Sequence, residues 1–215
     1  MALFAERAAD LACDLYGSDE QFYFWMDDHF DSHCHCPKCQ ELSPSDQQML
    51  AIHAMLLAIR KRIPNARMAY LAYFDSIVPP KSVKPEQGVF LEYAPFEKYT
   101  AKNRADGQRS ESAEALIAKE WAMLDPLLEL FGQKDAKVLE YWYDNSMFSH
   151  WKKPPKPFTL NREGMVRDVK AYRQKGFSSI ATFACFLGED YDALYGETDI
   201  TPFAKAINAS ESETV

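Results

Sequence analysis

A chain of 215 residues that is 47% hydrophobic can bury one sizeable core, and no window stays apolar for the roughly 20 residues of a membrane span, so no membrane partner is expected. The formal charge of -8 comes without a basic stripe, which argues against nucleic acid; Lys152-Lys153-Pro154-Pro155-Lys156 reads as a short solvated patch. Residues 1–16 carry Glu6, Arg7, Asp10 and Asp14 and are not a secretory signal, so the chain is cytoplasmic if complete, or else a piece lacking its upstream part.

In chain order, residues 2–16 predict a helix with Leu3, Phe4, Ala8, Leu11, Ala12 and Leu15 on one face and Gly17 as its stop. Residues 21–26 read as an aromatic strand ending at Asp27-Asp28, followed by a polar loop. Ser43-Pro44-Ser45-Asp46 is a helix entry signal, and the helix runs to about residue 62 with Met49, Ile52, His53, Leu56, Ile59 and Ile63 inward. Pro64 breaks it. Residues 67–73 form the second strand, and a loop with three prolines follows over 76–87.

Residues 89–93 are the third strand, and 97–111 are polar and irregular. A long helix over 112–131 is capped by Gly132. Residues 137–143 are the fourth strand, ending at Asp144-Asn145, and a Pro-rich loop with Trp151 comes next. A helix over 161–175 ends at Gly176, a fifth strand covers 178–183, and short helices close the chain over 190–195 and 201–208. The tail 210–215 is polar and expected to fray.

Helices alternating with apolar strands imply α/β architecture with a parallel sheet. No Gly-rich phosphate loop follows any strand. Instead Asp27, Asp28, Asp75, Glu92, Glu140 and Asp144 gather at strand ends, where (β/α) barrels place function. The expectation is a parallel (β/α) barrel or partial barrel of about five strand–helix units, with residues 1–209 as one domain. A full barrel has eight strands, so an upstream segment or self-association would have to supply the rest.

Five cysteines is an odd count. Cys13 and Cys185 sit among apolar residues and read as small buried hydrophobes. Cys34, Cys36 and Cys39 fall within six residues and suit one structural zinc. His29, His33, His35 and His150 are candidates for the fourth ligand, and His33 is the one assigned. Three free thiols, or one disulfide with a thiol left over, are the alternatives. No cofactor is expected for catalysis.

The stretch Asp28-His29-Phe30-Asp31-Ser32-His33-Cys34-His35-Cys36-Pro37-Lys38-Cys39 resembles a bacterial family of glycoside-hydrolase-like barrels, catalogued as a domain of unknown function. Its members show an acidic strand end, Cys-x-Cys-x-x-Cys and then a helix. Leu71-Ala72-Tyr73, the segment from Val89 through Glu92-Tyr93-Ala94-Pro95, Tyr141-Trp142-Tyr143-Asp144, Trp151, and Tyr172 with Gly176-Phe177 resemble later parts of the same pattern. The family is similar in architecture to β-hexosaminidases and α-glucuronidases, which carry a preceding domain and a complete barrel. The resemblance implies a carbohydrate partner and hydrolase chemistry. In β-hexosaminidases an Asp-Glu pair closes a comparable strand, and this chain has Asp27-Asp28 there.

Glycoside hydrolysis pairs a carboxylic acid with a second carboxylate. Asp27, Asp28, Glu92 and Asp144 are the candidates; the Asp27-Asp28 pair is weighed against a helix-capping or loop-ordering role, and Glu92 and Asp144, like Glu140, against that of a salt-bridged core acid. If Glu140 points inward, Trp142 and Asp144 do so too, while Tyr141 and Tyr143 face the helices. Tyr73, Tyr93, Trp142 and Trp151 are the candidate sugar contacts, with Trp151 in its Pro-rich loop the best stacking platform. His53, mid-helix on an apolar face, reads as a satisfied core residue. The competing readings are a glycoside hydrolase or part of one, a non-catalytic carbohydrate-binding or structural barrel with a zinc-pinned loop, and a metal-dependent hydrolase using the Cys/His loop.

Overall fold

The computed structural model of the protein describes residues 1–15, 19–29, 31–97 and 113–209. The helix stop at Gly17, most of the irregular stretch 97–111 and the tail 210–215 lie outside the described residues. The fold class is the one the sequence predicts: an α/β partial (β/α) barrel in which five parallel strands alternate with helices. The chain divides into two compact units, Met1–Pro95 with Lys119–Ala136, and Phe96–Ala118 with Lys137–Val215.

The first unit contains α1 (Ala2–Asp14), β1 (Gln21–Phe22), α2 (Pro44–Arg60), β2 (Arg67–Ala72), a 3-10 turn (Phe74–Ser76), β3 (Val89–Tyr93) and, from Lys119 onward, α3 (Ala113–Phe131). β1 is shorter than the predicted 21–26: it pairs with β2 only through Gln21↔Arg67 and Phe22↔Met68. Beyond Phe22 the segment is tied by side chains rather than by a ladder. β2 and β3 run in register from Met68↔Val89 to Ala72↔Tyr93.

Strand alternation sorts the side chains of this unit into two faces. Towards the helices, Tyr70 packs its ring 4.9 Å from Phe131, and the Tyr93 hydroxyl donates to the Glu120 carbonyl at 2.9 Å. On the opposite face, the Arg67 guanidinium lies over the Phe90 ring, and Tyr23 meets Phe90 edge-on. Tyr73 and Glu92 follow the same parity onto that face, at its strand-end rim.

α1 departs from the predicted packing. It buries Ala5, Ala8, Ala9 and Ala12, while Leu3, Phe4, Leu11 and Leu15 stay exposed. Small residues let α1 approach α2 closely, so the alanine stripe is chosen over the bulkier leucine one. Cys13 is exposed rather than buried. α2 buries Met49, Ile52, Leu56 and Ile59 as predicted. His53 is half-buried, and its Nε2 accepts the Glu86 N–H at 3.3 Å, a satisfied structural residue.

The N-terminus of α2 follows its sequence signal, with the Ser43 hydroxyl accepting the Asp46 N–H at 3.1 Å and Pro44 in the first turn. The Asp46 carboxylate is buried and accepts from Ser82 N–H and Val83 N–H, both at 2.8 Å, and from the Ser43 hydroxyl at 2.6 Å. Ser45 donates to the Val78 carbonyl. These bonds fasten the Pro-rich loop after β2 to the start of α2. Burial disfavours the Asp46 charge, but the Ser43 hydroxyl and the two N–H groups outweigh it and hold the carboxyl below its ordinary value.

The second unit contains β4 (Lys137–Glu140), α4 (Arg162–Gln174), β5 (Ser179–Thr182), α5 (Glu189–Tyr195) and α6 (Thr201–Asn208). β4 and β5 are parallel, from Lys137↔Ser179 to Glu140↔Thr182. β4 ends three residues before the predicted boundary, where the Asp144 N–H turns back to the Tyr141 carbonyl at 3.1 Å. Asn161 caps α4 by accepting the Gly164 N–H at 3.0 Å. A Cβ at Gly164 would come within 2.8 Å of the Asn161 amide, so that cap needs glycine there. Gly176, at φ +87°, ends α4 as the sequence predicts.

Candidate functional site in the two units

In the first unit, two predicted carboxylates meet aromatic donors, Asp28 from the segment beyond β1 and Glu92 from β3. The Tyr73 hydroxyl donates to Asp28 Oδ1 at 2.7 Å, and Trp25 Nε1–H donates to Glu92 Oε2 at 2.8 Å. Glu92 is buried, whereas Asp28 is exposed and Trp25 is 47% exposed. Trp25 therefore reaches from beyond β1 to the rim of β3. Asp27 is exposed and lines a cavity of about 30 Å³ with His29, His33, Tyr73 and Asp75, room for about one water. A second, open hollow of about 510 Å³ lies along α1 and α2, lined by Phe4, Leu11, Trp25, Met26 and Met55.

Tyr73 keeps a place at the site, half-buried and stacked on Phe74 with ring centroids 4.0 Å apart. Tyr93 does not. It is fully buried on the helix-facing side of β3, where its hydroxyl serves the Glu120 carbonyl, so the predicted sugar contact is a core residue. The error is one of parity: Tyr93 and Glu92 are neighbours in one strand and must face opposite ways.

In the second unit, Asp144 is buried, and its Oδ1 accepts the Ser146 N–H at 2.8 Å and the Ser146 hydroxyl at 2.5 Å. Asp144 thus orders the turn that follows β4. Burial raises the neighbouring Cys185 thiol above its ordinary value, helped by the Asp144 charge. Glu140 is not inward: Tyr172 of α4 donates its hydroxyl to the Glu140 carboxylate, and both are buried. Trp142 and Tyr143, neighbours in the chain, pack into one cluster because regular alternation ends with the strand at Glu140. Trp142 accordingly packs towards Phe203, beside the cluster of Tyr143, Met165, Val169 and Ala206, and is not a free stacking face.

Trp151 differs from the other predicted contacts. It is 65% exposed and sits, like His150, at positive φ, +56° and +53°. Two successive non-glycine residues in the left-handed region are costly unless the turn is held from outside. Trp151 N–H to the Ser146 carbonyl at 2.9 Å and Lys152 N–H to the Ser149 carbonyl at 3.1 Å hold it. Phe186 meets the Trp151 ring edge-on, and the Lys153 ammonium lies over Phe186.

The cysteine loop is compact. The sulfurs of Cys34, Cys36 and Cys39 lie within 4.8 Å of one another. Around a zinc with 2.3 Å bonds, tetrahedral sulfurs stand about 3.8 Å apart, so the three could hold a metal ion with little movement. The loop is clamped by Gln47 of α2, which accepts the Cys34 N–H at 2.8 Å and donates to the carbonyls of Cys34, Cys39 and Leu42 at 3.0, 3.1 and 3.3 Å. The Lys38 N–H and the Cys34 thiol lower the Cys36 thiol from its ordinary value. Sharing with Cys36 and Cys34 pushes Cys39 up to about 11. Cys36 therefore gives up its proton more readily than an ordinary thiol, and a thiolate is the form that binds metal.

His33, the predicted fourth ligand, lies elsewhere. It groups with Asp31 and His35, not with the three sulfurs. Sequence reasoning also passed over Gln47 and Asp31. Nothing in the sequence marks Gln47, whereas the Asp-x-His-x-His spacing was readable. Among the described residues, no helix is long and apolar enough to cross a membrane. No family model and no curated protein matches the chain.

Proposed function

We propose that this chain is a carbohydrate-active barrel module with glycoside-hydrolase chemistry, its working face at the strand ends of the first unit. One observation carries the reading. Two acidic side chains, Asp28 in the segment beyond β1 and Glu92 near the end of β3, are each held by a hydrogen-bond donor on an aromatic ring, Tyr73 and Trp25. Carboxyls supply proton transfer or nucleophilic attack at an anomeric carbon, and aromatic faces bind the apolar side of a pyranose. Asp28, exposed beside Tyr73, is assigned the acid. Glu92, buried and bonded to an indole N–H, is assigned the charged partner. Trp151 supplies a stacking face of its own in the second unit. Cys34, Cys36 and Cys39 hold a structural zinc that, with Gln47, fixes the loop beyond Asp28.

The test is a panel of aryl glycosides assayed with the wild type, Asp28→Asn and Glu92→Gln. Turnover on one sugar class, lowered on the order of 10²–10⁴-fold in each variant, is the expected result. Sugar binding without turnover would make the chain the non-catalytic carbohydrate-binding barrel instead. Neither binding nor turnover by a folded protein would end both readings.

A further inference from the structure

We infer that Asp31, His33 and His35 form a second metal site, separate from the cysteines, that takes a borderline divalent ion such as zinc. Two imidazole nitrogens converge on one carboxylate oxygen: His33 Nδ1 stands 3.5 Å from Asp31 Oδ1, and His35 Nε2 stands 3.1 Å from it. All three ligand atoms lie within 4.8 Å of one another. The two imidazole rings are 4.4 Å apart between centroids.

The distances decide between an ion pair and a coordination site. A charge-assisted N–H···O bond is about 2.7–2.9 Å long, and both contacts exceed that. Ligands bonded at about 2.0–2.1 Å stand roughly 2.9 Å apart at right angles and roughly 3.4 Å apart in a tetrahedron. The observed separations fall at the edges of such a polyhedron. In addition, His33 Nδ1 is cut off from solvent and makes no hydrogen bond among the described residues, which is costly for a polar atom unless something fills the gap.

The frame is held from behind. Asp31 sits at φ +59°, and its N–H donates to Asp75 Oδ2 at 2.7 Å, which ties the ligand loop to the turn after β2. The donor set, two imidazoles and one carboxylate, belongs to zinc and the later divalent transition metals; magnesium and calcium prefer oxygen. The side chains of Asp31 and His35 are 73% and 63% exposed, so the remaining coordination positions face water and stay exchangeable. The cysteine site, by contrast, has three sulfurs and suits a closed structural role.

Zinc and cobalt titrations of the full chain separate the two sites. The variant carrying Cys34→Ser, Cys36→Ser and Cys39→Ser is expected to keep one equivalent of zinc, and its cobalt form to lack a thiolate-to-metal charge-transfer band. His35→Ala, at an exposed position, is expected to lose one equivalent and to keep any thiolate band. Magnesium in excess should displace neither. Zinc stoichiometry and affinity unchanged in His35→Ala would overturn the inference, as would a folded triple-serine variant that binds no zinc. If the triple variant does not fold, Asp31→Asn with the cysteines intact decides by the same count. A wild type that binds a single zinc without a thiolate band would remove the cysteine zinc and leave this site standing.

Discussion

Replacing Asp46 tests how the loop after β2 is fixed to α2. Asp46→Ala removes a buried carboxylate that accepts from the Ser82 and Val83 N–H groups and the Ser43 hydroxyl. Hydrogen bonds to a charged group contribute about 1.5–3 kcal/mol each. Ser82 is exposed and Val83 half-buried, so their freed N–H groups recover part of this from water. The net loss is then about 3–4 kcal/mol, which for a chain of this size lowers Tm by roughly 6–16 °C. Asp46→Asn keeps the shape and the oxygen that accepts from Ser82 and Val83, and loses the charge and the oxygen that accepts from Ser43, at about 1–2 kcal/mol.

The pH dependence carries a sign. The folded carboxyl lies below its unfolded value, so its stabilisation is complete above about pH 4 and is lost as pH falls through the folded pKa. The Tm difference between wild type and Asp46→Asn should therefore be constant near neutrality and vanish in acid. Differential scanning calorimetry across pH measures it. Equal stability of the two proteins at neutral pH, or a difference that persists unchanged in strong acid, would refute the reasoning.

Tyr172→Phe should cost about 2 kcal/mol, because it removes a hydroxyl donor from the buried Glu140 carboxylate; the urea midpoint would fall without a change in slope. Gln47→Ala removes the clamp on the cysteine loop and should weaken zinc binding about 10–100-fold, read by competition with a chelator.

The amino-acid sequence by itself determined the element order, the parallel α/β class, the α2 cap at Ser43 and the glycine stop at Gly176. These follow from periodicity and from backbone rules that act over a few residues. It also marked the three clustered cysteines, since their spacing is local. Tertiary structure alone decided which face each strand-end side chain takes. Glu140 turned to Tyr172 and Tyr93 to Glu120 because helices packed there, and a strand pattern apolar on both sides carries no parity signal. The alanine face of α1 was selected the same way, by how near α2 comes. His33 joined Asp31 and His35 rather than the sulfurs because a loop's path is set by its anchors, here Gln47 and Asp75, and one lies on a helix and the other beyond a different strand.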